Sequence, residues 1–507
     1  MTNEDGIQAL FRGGSLLLVG LAIELSISFG VKVLLARYLG RVDFGIVSIG
    51  MTLMTIVATV VLAGLHTGVG RYIPRSDTPR ERNGVIISAL HIVIPLSVVA
   101  AVVLAVFSTP LAEALLNDQK LRWVIIAFAV GVPFNTVVRF ANGTIQGSQE
   151  VLPRVYLQNI GIPGARFVFL GIAVLFGLGL SGVVAATVGA YVALSGYALW
   201  VISRSLSSIR TTGYDPAHRE LLSFSIPLLI TSAMLLVFSE IDTLMLGYFA
   251  SSGTVGDYKV VYPLAMLLLI VLRSFQFLFM PQISERHADD DLAGAVEAYA
   301  SVTKWVFVAT VPVFLVLISA PKQIIILLFG AEYTGGTLAL IVLCVGFVTH
   351  TAVGPNGTTL TSIGRTRTIM YDNIVVAAIN VILNFLLIPR YGILGAAIAT
   401  AVAYVGINIL YSAQLFRALG ILPFPGSAIR LYLFSLISAA AVLWTWFIDA
   451  ATVRLIVAAV ALLLFPVAVV RLGGISVREV ELLEQVGQRI GLSDGRLTEI
   501  LDRFVDD

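Results

Sequence analysis

Ionisable side chains interrupt long apolar runs at Glu24, Lys32, Arg139, Arg166, Glu240, Asp242 and Arg273. At the centre of a membrane helix each costs about 2.5–3.5 kcal/mol, so these positions are the first candidates for chemistry. Glu24, Ser28 and Lys32 follow at four-residue steps, which puts them on one slowly turning helix face. Matching Tyr38 with Tyr248 sets Lys32 level with Asp242, two residues after Glu240. Lys32 is therefore expected to pair with Asp242 or Glu240, as a gate that breaks or as a static bridge that neutralises buried charge. Glu24, Glu240 and Asp242 are the carboxylates available for coupling to a proton or sodium ion. Arg273, with Gln276 one turn on, Arg166 and Arg139 offer guanidinium groups, which bind phosphate bidentately. Arg166 also suits helix packing, and Arg139 suits snorkelling to an interface. Asn380 and Asn384, one turn apart, can bond ligand hydroxyls or bridge neighbouring helices. His66, His91 and His350 have no metal-ligand spacing, and no GxxxxGK[ST] phosphate loop occurs. No catalytic residue, metal or cofactor is expected.

The elements that carry these residues are membrane helices. Of 507 residues 58% are hydrophobic and 12% charged, against about 25% charged in an average soluble domain, so most of the surface cannot face water. The lone Cys344 excludes a disulfide framework. The start of the chain lacks the basic flank and cleavage site of a secretory signal, so the first apolar run is expected to remain. Runs of about 20 apolar residues mark fourteen spans. The first six cover residues 13–38, 44–66, 84–108, 121–141, 151–176 and 181–203. Six more cover 221–247, 256–281, 300–320, 334–359, 367–389 and 393–417, and a last pair covers 428–448 and 452–471. Arginines collect in alternate loops: Arg71, Arg75, Arg80 and Arg82; Arg204, Arg210 and Arg219; Arg365 and Arg367; Arg417 and Arg430. Both termini are therefore expected on the cytoplasmic side. The Asn142 and Asn356 sequons would then lie at cytoplasmic helix ends, where glycosylation does not occur. Residues 284–298 and the tail from Ile475 read as short soluble helical elements.

An internal repeat fixes the architecture. Gly179, Gly182, Ala186, Thr187 and Tyr191 recur as Gly392, Gly395, Ala399, Thr400 and Tyr404, offset by 213. Asn142, Gly143, Thr144, Ser148, Asn159 and Ile160 recur at 214 as Asn356, Gly357, Thr358, Ser362, Asn373 and Ile374. Asp43 and Phe44 correspond to Asp257 and Tyr258, and Ser108 and Pro110 to Ser319 and Pro321. A six-helix repeat enters twice from the same side, so its halves are parallel. The expected fold is an all-α integral membrane protein of about 14 transmembrane helices, two six-helix bundles around a central cavity plus helices 13 and 14. Parallel repeats are a transporter architecture that works by alternating access. The expected boundaries are 1–203 and 221–417 for the bundles, 204–220 for a cytoplasmic linker, 418–471 for the extra pair and 472–507 for a cytoplasmic tail.

The segment NVILNFLLIPRYGILGAAIATAVAY, Asn380 to Tyr404, resembles a stretch typical of polysaccharide and oligosaccharide exporters of the multidrug/oligosaccharidyl-lipid/polysaccharide superfamily. ARYLGRVDFGI from Ala36 and IIILLFGAEY from Ile324 carry the same resemblance. It implies a flippase that moves a polyprenyl-phosphate-linked saccharide from the cytoplasmic to the outer leaflet, with the first two helices of each half lining the cavity. The arginines would then hold the phosphate, and Asn384 a sugar hydroxyl. It also implies a lipid-linked saccharide substrate, glycosyltransferases or polymerases of the same pathway as partners, no nucleic acid, and the plasma membrane of a prokaryote. An ion-coupled multidrug extruder of the same superfamily is the nearest alternative; it would favour acidic cavities. A membrane-embedded transferase is the other, and would need an acid/base pair in a large polar loop.

Overall fold

The computed structural model describes residues 3–116, 118–206, 212–289, 291–422, 426, 429–448 and 451–472. The expected tail elements, Arg210 and Asp290 lie outside the described residues. Helices make up nearly all of the described chain, and no strand occurs among the described residues. Among the described residues eleven helices are long and apolar enough to cross a membrane. One of them is bent into two arms, and His218–Phe249 and the shorter Ile429–Trp444 complete the fourteen expected segments.

The chain divides into two compact units, each with its own core. The first contains Met1–Val260, Ile326–Gly336 and Val381–Ala396. Its first helix, α1 (Asn3–Leu62), is broken at Gly40, whose φ of 73° no helical residue adopts, so the arms before and after it are the first two spans. After α2 (Leu65–Tyr72) come α3 (Pro79–Val106), the short α4 (Ser108–Leu115) and α5 (Gln119–Gly147). Thr78 caps α3 by accepting from the Glu81 amide, and Asp118 caps α5 by accepting from that of Lys120. The fifth span is not one regular helix. It runs as α6 (Val151–Arg154), a π-helical stretch over Val155–Gly161, and α7 (Ile162–Leu175). Pro163 has no N–H for the carbonyl four residues back, and the ladder widens ahead of it. The wider turn carries Asn159, buried against α1. Then follow α8 (Gly179–Ser205), α9 (His218–Phe249) and α10 (Ser252–Met266). On the arginine-bearing end, Arg80 pairs with Asp215 at 2.7 Å and Arg82 donates to Ser148 at 2.9 Å, tying the start of α3 to the ends of neighbouring elements.

The second unit contains Val261–Ile325, Thr337–Asn380 and Ala397–Asp507. It includes α11 (Ile270–Ala288), α12 (Leu292–Ser319), α13 (Pro321–Leu328), α14 (Thr337–Ala352), α15 (Asn356–Ser362), α16 (Thr366–Tyr391), α17 (Ile393–Leu419), α18 (Ile429–Trp444) and α19 (Ala451–Leu472), in whole or in part. The stretch 284–298, read as a separate short helical element, is instead the meeting of two long helices: α11 runs on to Ala288 and α12 begins at Leu292, capped by the Asp291 carboxylate. The tenth span, expected to run unbroken over 334–359, stops at Ala352 and resumes at Asn356. Pro355 cannot donate to the ladder and disfavours helix in the residue before it. Two tyrosines take the carbonyls released by the break: Tyr299 donates to Val353, and Tyr432 to Ala352 at 3.0 Å.

The matched residues occupy matched places. Gly179 and Gly392 both have left-handed φ, 61° and 54°, and immediately precede or begin α8 and α17. Ser108 opens α4, and Ser319 and Pro321 flank the junction into α13, so the short helix after the third span is repeated after the ninth.

Candidate functional site

The post-kink arm of α1 runs from Arg41 to Leu62 and is lined by polar residues at helical spacing: Ser48, Thr52, Thr55 and Thr59. At 1.5 Å per residue the arm from Arg41 to Leu62 covers about 32 Å, enough to cross a hydrocarbon core. Three polar regions of the first unit follow one another along it.

At the kinked end is a clasp. Arg41 pairs with Asp257 at 2.8 Å, donates from Nε to the Gly253 carbonyl at 3.1 Å, and donates from its backbone N–H to Glu332 at 3.1 Å. Arg37 donates to the carbonyls of Leu328, at 2.8 Å, and Leu327, and Tyr333 donates to the Ala36 carbonyl at 2.8 Å. The ARYLGRVDFGI and IIILLFGAEY segments thus hold each other. The turn bearing Asp257 is the repeat partner of the turn bearing Asp43, and their backbones touch: a Cβ on Gly45 would fall on the Ser252 carbonyl, and one on Gly256 on the Arg41 carbonyl. Only glycine permits that approach.

Next along the arm lies a cavity of about 190 Å³, lined among others by Ser28, Lys32, Thr52, Arg166, Glu240 and Lys259. Its one lining carboxylate among the described residues, Glu240, is already engaged: Lys259 lies 2.9 Å away and Thr52 donates at 2.6 Å. Arg166 approaches the Met51 sulfur at 3.5 Å, and its Nε is buried without a protein partner. With Lys32, Arg166 and Lys259 against Glu240, the lining carries a surplus of positive charge.

Thr55 is shared with a larger chamber of about 480 Å³ whose lining includes Thr59, His66, Arg139, Asn142, Gln146 and Gln158. Arg139 is held by Asn135 and Thr59, each at 3.2 Å. A Cβ on Gly143 would strike the His66 carbonyl, so glycine lets α2 lie directly on α5 and sets His66 at the chamber wall. His66 stands beyond the membrane-spanning part of α1; burial, and then the Arg139 guanidinium, push its imidazole below the ordinary value, which keeps it neutral at pH 7. His66 Nδ1 and Asn142 Oδ1 are buried without protein partners.

Of the residues singled out by sequence, Lys32, Arg166 and Glu240 share the smaller cavity and Arg139 lines the larger. Ser28 joins Lys32, as the four-residue spacing requires. Glu24, one turn further, accepts from Asn159 at 2.6 Å instead. The expected pairing of Lys32 is not what forms. Glu240 bonds Lys259, and Lys32 takes part in no ion pair among the described residues. Asp242 accepts from Tyr258 at 2.5 Å and from Asn384 at 2.6 Å in a fully buried cluster. Residues two positions apart on a helix point about 200° apart, so Glu240 and Asp242 cannot face one cavity. Asn384 likewise bridges helices and lines neither cavity. Arg273 and Gln276 belong to the second unit, where Arg273 is exposed.

Lys259, Arg41, Asp257, His66, Gln146 and Gln158 were not singled out. Two signals pointed to some of them: Lys259 lies in the eighth span, one of those implied to line a cavity, and Asp257 is a repeat match. His66, Gln146 and Gln158 come from three elements, and only the fold assembles them.

Residues 10–287 match the family model described as polysaccharide biosynthesis protein, and residues 227–386 match MatE. A probable low-salt glycan biosynthesis flippase, Agl15 of Haloferax volcanii, is 22% identical over 384 residues, covering 74% of this chain and 77% of the relative. The solved inward closed structure of the lipid II flippase MurJ superposes with a TM-score of 0.71 at 16% identity, over 88% of this chain and 97% of that one. An inward-facing multidrug resistance MATE transporter of the MOP superfamily gives 0.61 at 16% identity, over 79% and 99%. At these identities the two structures establish the fold, which is the two-lobe MOP fold.

Proposed function

We propose, from the premise that this chain belongs to the polysaccharide biosynthesis protein family, that it flips a polyprenyl-phosphate-linked oligosaccharide from the cytoplasmic to the outer leaflet by alternating access. The observation that carries this reading is the charge of the smaller cavity. Lys32, Arg166 and Lys259 face a single carboxylate that is already paired. Three cations around one engaged carboxylate repel one another, and a phosphate or pyrophosphate is the anion a lipid-linked saccharide brings. An extruder of organic cations needs the opposite charge. The names of relatives support the reading: Agl15 and AglR of Haloferax volcanii are described as probable flippases.

In this reading the clasp closes the outer end, and the chamber opens toward the arginine-rich cytoplasmic end. Glu240 and Lys259 form the ion pair that the arriving phosphate rearranges, which replaces the Lys32 pairing as the gate. Both termini are cytoplasmic, residues 1–203 and 221–417 form the two bundles, and the protein works as a transporter rather than an enzyme. Glycosyltransferases of the same pathway supply its substrate at the inner face of a prokaryotic plasma membrane.

Reconstituted protein and a fluorescent polyprenyl-pyrophosphate-linked disaccharide test this directly. Transfer between leaflets is expected for the wild type and a drop of about tenfold or more for Lys32→Gln with Arg166→Gln, the scale of a lost charge-assisted contact. Transfer that survives both substitutions, or transport of an organic cation in its place, overturns the reading.

A further inference from the structure

The geometry points to the chamber of His66, Arg139, Asn142, Gln146 and Gln158 as the subsite that holds the sugar ring next to the carrier phosphate, a hydroxyl-rich saccharide without a free amine. This deepens the proposed function and rests on it. The chamber and the cationic cavity are adjacent and share Thr55, and in this assignment one ligand spans them, with its phosphate on Lys32 and Arg166 and its next group among these residues.

What surrounds that group is chemistry for hydroxyls. Asn142, Gln146 and Gln158 supply amide donors and acceptors, and Thr55, Thr59 and Ser239 supply hydroxyls, which can do both. Among the described residues the chamber lining contains no carboxylate, and its one permanent charge is the Arg139 guanidinium, so an ammonium group is repelled and a neutral or acidic ring accepted. Arg139 is fixed by Asn135 and Thr59 with N–H groups left over. Two lining side chains, His66 and Asn142, have buried polar atoms that no protein group satisfies. Leaving such atoms unpaired is costly, and ligand hydroxyls of either polarity satisfy them. A hydrocarbon tail would leave them unpaired.

The contrast with the cationic cavity separates the two roles. One presents three cations at close quarters; the other presents amides and hydroxyls around one guanidinium. A phosphate selects the first, and a polyol the second.

The test compares two probes on the full chain in lipid nanodiscs: a bare polyprenyl pyrophosphate, and the same lipid carrying a disaccharide, with dissociation constants for each. The wild type is expected to hold the glycosylated lipid at least about tenfold more tightly. Gln146→Ala and Gln158→Ala together should erase that advantage and leave the bare lipid within about twofold. Gln146 is exposed, and the wild-type comparison of the two lipids needs no substitution, so misfolding cannot mask the answer. Binding of the bare lipid with no gain from the disaccharide overturns the chamber assignment alone. An equal loss for both lipids in the double variant does the same. Failure of both lipids to bind the wild type overturns it together with the function on which it rests.

Discussion

Glu240 and Asp242 stand two residues apart on α9 and lead different lives. Glu240 is partly open, held in a cavity by a lysine and a threonine. Asp242 is 3% exposed and fixed by a tyrosine and an asparagine at short range. The clasp is also fixed in shape, with backbones in contact and Arg41 bonded to Asp257, Gly253 and Glu332. A transporter needs both kinds of polar site: parts that hold shape in each state, and parts that exchange partners with a ligand. Whether an intramembrane charge serves structure or traffic is decided by which helix face it occupies, and two positions suffice to change it.

The comparison can be broken hardest at the clasp. Gly45→Leu places a side chain where the Ser252 carbonyl lies, so the two turns cannot close; flipping should fall by tenfold or more, on the order of an overpacking penalty of about 1–3 kcal/mol, while the protein still elutes as a folded species. Unchanged flipping would show that the contact is dispensable.

Asp242→Ala comes next. It leaves the Tyr258 hydroxyl and the Asn384 amide without that carboxylate, at about 1–3 kcal/mol for each buried group, so thermal unfolding in detergent should shift down by several degrees. Equal melting of Asp242→Ala and wild type would remove the structural role assigned to this residue.

Glu240→Gln should be gentler on stability, about 1 kcal/mol or less because the pair is partly open, yet it frees Lys259 and should tighten binding of a bare polyprenyl pyrophosphate. Weaker binding would mean that the carboxylate itself contacts the ligand.

The smallest effect concerns His66. Burial and Arg139 lower its folded-state pKa below the unfolded value of about 6.5. Its stabilising contribution is therefore complete above that value and is lost as pH falls through the folded pKa. His66→Gln should flatten the decline in melting temperature below pH 6.5; an unaltered decline assigns it to other groups.

Much of the fold was legible in the chain itself. Apolar run lengths are fixed by bilayer thickness, so the fourteen segments and most of their ends follow from hydropathy. The repeat follows from matched residues, because equivalent helix starts need equivalent small residues, as Gly179 and Gly392 show. The face shared by Ser28 and Lys32 follows from helix periodicity alone. Interruptions such as the π stretch before Pro163 and the break at Pro355 were less legible: proline marks the place, while the neighbours that accept the freed carbonyls decide the form.

Partner choice was not legible at all. Lys32 and Lys259 are equivalent to composition and hydropathy, yet Glu240 pairs with Lys259, because hydrogen-bonding geometry depends on rotation and depth that no local signal encodes. The clasp between Arg41, Asp257 and Glu332 joins residues more than 200 positions apart, and the chamber draws His66, Gln146 and Gln158 from separate helices. The sequence by itself determined which groups the membrane would have to tolerate. Tertiary structure decided which of them are satisfied by the protein and which are left for a ligand, since satisfaction is a matter of distances of about 3 Å between elements that only packing brings together.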